Sequence, residues 1–147
     1  MALIVRHIDD IPWQEGRRVR YGDRTSSVWN KIMDYTDDRT VAYTRYDPGM
    51  MLARHSHHAD EVIFIVEGEV TVGDQSWPAG TIAILEKGTY FGPLVAGPQG
   101  AILFEMFAGI SQRDGQDRTG FDELLAERGA LDGPHPTFDM PPLRQRG

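Results

Sequence analysis

Two histidines and a glutamate fall close together in Gly49-Met-Met-Leu-Ala-Arg-His55-Ser-His57-His58-Ala-Asp-Glu61. Alternate side chains of a β-strand share a face, so His55 and His57 point the same way with Ser56 opposed. A turn over residues 58–60 then starts a new strand at Glu61, beside His57 and able to face the same side. Two imidazoles and one carboxylate make a set suited to one divalent metal. Fe(II) is favoured, with Zn, Ni, Mn or Co acceptable. The plainer reading is that histidines at a surface turn are solvated, and an HxH pair alone is weak evidence for metal. Same-face spacing, the carboxylate opening the next strand and the flanking glycines favour the metal.

The elements that must position this set read as short strands. The pattern predicts strands over 27–35, 40–46, 51–57, 61–66, 69–72, 81–85, 90–94 and 101–107. Turn residues separate them, among them Asp47-Pro48-Gly49, Glu67-Gly68, Gly73-Asp74, Lys87-Gly88 and Gly97-Pro98. Residues 1–25 read as an edge strand followed by a charged surface loop. Many short strands with almost no helix argue for an all-β antiparallel sandwich or barrel. Near the end, Phe121, Leu124, Leu125 and Arg128 sit at helical spacing, which predicts a helix over about 120–129 with Gly129 as its C-cap and its apolar stripe on the barrel. Residues 132–147 carry four prolines and read as an extended tail that could cross to a neighbouring subunit. With 147 residues, no repeat and no low-complexity linker, one domain is expected, with its barrel core over about 27–108.

The run G-x5-H-x-H-x3-E-x6-G, from Gly49 through His55, His57 and Glu61 to Gly68, matches the first cupin motif at every fixed position. The surrounding segment resembles the RmlC-like cupins, in particular those related to the anti-sigma factor ChrR and the small acetylacetone- and dihydroxyacetophenone-type dioxygenases. The resemblance covers roughly residues 10–108. It implies a double-stranded β-helix (the cupin jelly-roll barrel), a metal inside the barrel mouth on His55, His57 and Glu61, and a homodimer. The second cupin motif, G-x5-P-x-G-x2-H-x3-N, is broken: Glu86 replaces its proline, Phe91 its histidine and Val95 its asparagine. The missing histidine either leaves an open metal position walled by Phe91 or marks a decayed site on a binding cupin.

Other residues are candidates around that centre. Glu105 interrupts the apolar strand AILFEMF and is a candidate base or substrate contact, or else a structural partner of an arginine such as Arg45. Tyr90 is a second catalytic candidate if a bulge turns it inward. Trp29, Met51, Arg45 and Phe91 are expected at the substrate pocket. Met33, Tyr43, Ile63 and Ile65 line or underlie it on alternation grounds, and His58 is expected to be solvated. No arginine or lysine cluster for phosphate is expected in the pocket.

Composition bounds the function. The formal charge of −7 disfavours nucleic acid and anionic membranes. Absence of cysteine excludes disulfides, thiolate metal sites and a cysteine nucleophile. The N-terminus does not read as a signal peptide and no segment approaches a membrane span, so a cytoplasmic location is the default expectation. The expected activity is that of a metal-dependent, dioxygenase-like oxidoreductase. Its small-molecule substrate would be a diketone, a hydroxyketone or an aromatic compound. A metal- or ligand-binding sensor cupin, or an isomerase or lyase, is the alternative. The resemblance to the anti-sigma factor permits the sensor, although no separate helical sigma-binding segment is visible in the sequence.

Overall fold

Alternation decides the architecture. In the strand Arg39–Tyr46 every second residue is buried (Thr40, Ala42, Thr44, Tyr46), which turns one face inward along its whole length. The computed structural model describes residues 2–146. Its strands are β1 (Gln14–Tyr21), β2 (Arg24–Thr36), β3 (Arg39–Tyr46), β4 (Met51–Leu52), β5 (Arg54–His57), β6 (Glu61–Val72), β7 (Gln75–Pro78), β8 (Ile82–Leu85), β9 (Leu94–Phe107), β10 (Arg113–Asp117) and β11 (Leu131–Asp132). Among the described residues a single α-helix, α1 (Phe121–Glu127), lies between β10 and β11.

The large sheet runs β11-β1-β2-β3-β9-β6-β7, with β4 added to β9 and β8 to β6. A separate pair, β10 and β5, closes the other side. Sequentially distant strands lie side by side and every pairing is antiparallel, as in a jelly-roll barrel. The core sits inside the barrel, with Met50, Met51, Ile63, Ile65, Val70, Leu94 and Leu103 nearly or fully sequestered from solvent.

Several expectations change on contact with the structure. Residues 61–72 form one strand rather than two, because a bulge absorbs the Glu67-Gly68 break. Gly68 has φ +75, and a Cβ there would lie 2.0 Å from the Gly100 carbonyl oxygen, so only glycine lets β6 and β9 approach. Likewise β9 runs through Gly97-Pro98 without ending. The N-terminal strand is not the apolar stretch at residues 2–5 but the charged segment Gln14–Tyr21. That segment pairs with β2 on one side and β11 on the other. Two of its arginines are not free loop charges: Arg18 pairs with Glu15, and Arg20 donates to the Gly133 carbonyl at 2.7 Å.

The C-terminal helix forms as expected. Gly129 (φ +65) ends it in a Schellman arrangement, with the Ala130 N–H on the Leu125 carbonyl and the Gly129 N–H on the Ala126 carbonyl. Phe121 and Leu125 are its buried residues, which puts its stripe in the core. The tail beyond it folds back on its own chain rather than leaving it. The Arg144 N–H donates to the Tyr35 carbonyl at 2.7 Å, and its guanidinium forks onto Asp34 at 2.8 and 2.9 Å.

Candidate functional site

The strand β5 presents His55 and His57 to the barrel interior, their ring centroids 5.1 Å apart. Gly49 (φ +76) makes the turn after β3 that returns the chain toward β4 and β5, which explains the first glycine of the motif. His55 is buried, and its Nδ1 lies 2.8 Å from the Ala53 carbonyl. A carbonyl only accepts, so Nδ1 carries the proton and Nε2 keeps a free lone pair, the state a metal-ligating imidazole needs. Burial pushes the His55 imidazolium down to about 3, with the nearby Arg113 charge as second cause. His57 is pushed to about 4 for the same two reasons. Both rings are therefore neutral at physiological pH.

Phe91 stands where sequence reasoning put it. It exchanges two backbone hydrogen bonds with His55, each 3.0 Å, and its ring centroid lies 4.7 Å from that of His55. No longer strand forms there; the pairing is a single bridge. Phe107 closes on His57 from β9, at 4.8 Å between centroids. The imidazoles thus share an apolar wall.

Glu61 opens β6 facing inward and is 2 % exposed, and among the described residues neither carboxylate oxygen has a hydrogen-bond partner. Glu105 points to the same interior from β9, beside Ile63 in the register, and accepts a hydrogen bond from Thr44 Oγ1 at 2.9 Å. Burial pushes Glu61 well above the ordinary carboxylate range, and the Glu105 charge adds to it. Burial raises Glu105 too, opposed by the Thr44 hydrogen bond. Two neighbouring carboxyls in a dry interior cannot both ionise cheaply.

The donor chemistry fits a divalent metal: a preset His55 Nε2, an unpartnered Nδ1 on His57 and two orphaned oxygens on Glu61. Among the described residues, however, no three such side chains are gathered closely enough to hold an ion as they stand.

A cavity of about 300 Å³ opens onto this wall. His55, His57, Phe91, Phe107 and Glu105 line it, together with Leu52, Asn30, Thr44, Tyr46 and Ser111. The tail supplies Phe138 and Met140 to the same lining. Two arginines complete it, Arg17 from β1 and Arg113 from β10. This corrects the expectation that the pocket has no cluster of arginines or lysines; the pair is Arg17 and Arg113, not the expected Arg45. Burial lowers Arg113 to about 10, with Arg17 as second cause.

The remaining candidates lie elsewhere. Trp29 and Arg45 are register partners that do not line the cavity, and Trp29 Nε1 donates to Asp47 at 3.0 Å. Arg45 sits over the rings of Trp13 and Trp29 and pairs with Asp47 at 3.6 Å, so it is not the partner of Glu105. Met51 is fully buried in the core and does not reach the cavity, and Ile63 and Ile65 underlie it. Tyr90 is 41 % exposed, stacked under Arg54 and packed over Gly115. No bulge turns it inward. Met33 and Tyr43 line an outer cleft of about 700 Å³. That cleft is larger, and its Asp34 is already matched by Arg39 and Arg144. His58 is exposed, 3.4 Å from Asp114.

Sequence reasoning missed Arg17, Arg113, Phe138 and Met140. Alternation along β3 could have found Thr44 and Tyr46. Nothing periodic marks Arg113 or the tail residues.

A family model described as the ChrR Cupin-like domain matches residues 1–109. An RmlC-like cupin from Shewanella frigidimarina matches with a TM-score of 0.58 at 18 % identity, over 74 % of this chain and 93 % of that one. A candidate acetylacetone dioxygenase from Methylibium petroleiphilum gives 0.60 at 14 % identity, over 74 % and 78 %. The anti-sigma factor ChrR, solved with SigE of Rhodobacter sphaeroides, gives 0.52 at 17 % identity, over 69 % of this chain and 52 % of that one. At these identities the likeness is one of fold. No curated protein matches the sequence.

Proposed function

The chain belongs to the ChrR cupin-like family, and from that premise we propose that it is a metal-dependent enzyme acting on a small molecule inside the barrel, of dioxygenase type. The observation that carries this reading is the orphaned carboxylate of Glu61, buried without a hydrogen bond in the same interior as two neutral imidazoles. Such a carboxylate is costly unless it stays protonated or meets a cation. His55, His57 and Glu61 would hold one divalent ion, Fe(II) in the favoured case. When bound, that ion supplies a Lewis acid and, as Fe(II), an electron source for oxygen chemistry.

The protein's own residues do the rest. The Ala53 carbonyl fixes the His55 tautomer. Phe91 and Phe107 keep water from the imidazoles and suit an apolar substrate. A diketone or hydroxyketone has an acidic proton between or beside its carbonyls. Glu105, held by Thr44 on the cavity wall, would accept it in this reading. Phe91 adds no donor, so substrate and oxygen face a three-residue set.

Protein purified without a histidine tag should carry about one metal ion per chain by elemental analysis. The iron-loaded protein should consume oxygen with acetylacetone or a related diketone. His55→Ala should lose the metal, and Phe91→His should tighten it by roughly tenfold or more. The reading fails if no metal co-purifies and His55→Ala changes neither stability nor ligand binding.

A second reading, a ligand- or metal-sensing cupin, is favoured by the family description and by the fold shared with ChrR. It predicts metal binding without oxygen uptake.

A further inference from the structure

The cavity holds two guanidiniums and one carboxyl, Glu105, which is held by Thr44 and, among the described residues, pairs with neither arginine. Arg113 is the register partner of His57, so both strands present these side chains to the same interior. Arg17 stands opposite Val28, which also lines the cavity. Among the described residues Arg113 makes no side-chain hydrogen bond or ion pair. The acids near it are Tyr46, whose burial keeps its phenol neutral, and then Asp132, already held by Arg118 at 3.0 Å and His135 at 3.1 Å.

Arg17 is little better served. Its Nε is buried without a partner, and its Nη2 lies 3.0 Å from His135 Nε2. The His135 Nδ1 accepts from the Arg18 N–H at 3.2 Å, so in the neutral ring Nε2 carries the proton, faces Asp132 and offers Arg17 no lone pair. Several other arginines do find acids: Arg39 and Arg144 share Asp34, and Arg54 takes Asp117. In a chain of net charge −7 acids are not scarce. Two half-buried guanidiniums left open inside one cavity mark a place for an anion from outside.

We propose that this cavity binds a small organic carboxylate, its anionic group on Arg113 and Arg17 and its apolar body between Phe91, Phe107 and Phe138. This names the substrate class of the site described above; it rests on the cavity being the substrate site and not on the metal. The planar guanidinium fork matches a carboxylate in two parallel hydrogen bonds. A phosphate dianion fits worse. The cavity is walled by strands and tail rather than by a helix N-terminus, and Glu105 shares it. Arg113 and Phe138 lie beyond the family match at residues 1–109, whereas Arg17, Phe91 and Phe107 lie within it.

Benzoate, its neutral analogue benzamide, and phenyl phosphate are the probes, titrated by calorimetry into the full chain as purified and after EDTA treatment. Benzoate should bind in both preparations, at least tenfold tighter than benzamide or phenyl phosphate. Arg113→Gln should weaken benzoate at least tenfold and leave benzamide unchanged, and Arg113→Lys should restore part of the loss. Removing an unpaired buried cation should not lower the melting temperature, and Arg17→Gln gives a second, independent variant. The proposal is overturned if benzamide or phenyl phosphate binds as well as benzoate, if benzoate does not bind, or if both glutamine variants bind it like the wild type. Benzoate binding that needs metal and ignores Arg113 sinks the anion site and spares the metal. Arg113-dependent binding in a protein that takes no metal does the reverse.

Discussion

Glu61 and Glu105 face one interior from adjacent strands, and the two histidines face it from β5. Their displaced proton affinities act in opposite directions on stability. His55 and His57 fall from 6.5 to about 3 and about 4 on folding, so below pH 6.5 the unfolded chain binds more protons and stability is lost as pH falls. The carboxyls move up from 4.5, so the folded chain holds the extra protons and stability is lost as pH rises through their raised values. Metal-stripped protein should therefore be most stable in mild acid, between pH 4.5 and 6.5. Glu105→Gln removes one ionisation and relieves its neighbour, and should stabilise the stripped protein by about 1 kcal/mol above pH 7. Urea unfolding at pH 5.5 and 8 checks this; equal pH dependence in variant and wild type would refute it.

At the scale of elements, the tail matters most. Proline content predicts that residues 132–147 form no regular element, but it says nothing of where they go. Asp34 decides that. It takes Arg144 at 2.8 and 2.9 Å and Arg39 at 2.6 Å, and these hydrogen bonds hold its carboxyl far below the usual range despite some burial. With the tail pinned there, Phe138 and Met140 lie over the cavity. Asp34→Asn should cost about 1–2 kcal/mol, less than a fully buried pair because the arginines are partly exposed. It should also speed tryptic cleavage after Arg144; an unchanged cleavage rate would mean that other contacts hold the tail. Wild-type stability should lose this contribution only below pH 4, because a depressed carboxylate helps above its unfolded value.

Across the whole molecule, the outer sheet face carries two apolar rows in register. Ile82, Phe64 and Phe104 form one, and Ile84, Val62 and Met106 the other, across β8, β6 and β9. Ile82 and Ile84 are 64 % and 76 % exposed. The homodimer expected from the sequence is predicted to form on these open rows. Ile84→Asp should convert a dimer to a monomer in light scattering without lowering helix or strand content. A wild-type monomer would refute it. No helix among the described residues is long and apolar enough to cross a membrane.

Local order was legible in the residues themselves. Alternation placed β3 and the first half of β6, the motif spacing put His55, His57 and Glu61 on inward faces, and the broken second motif set Phe91 against His55. These depend on period-two geometry and on turns only glycine makes, both written in a few adjacent residues. Membership of the cavity was not legible. Arg17, Arg113, Phe138 and Met140 come from three separate stretches of chain, and only strand pairing and the fold-back of the tail bring them together. For the same reason Arg45 and Trp29, plausible by position along the chain, end on the other side of the sheet from the histidines. A side chain's face follows from its neighbours in sequence, but what it faces follows from the partners its strand acquires.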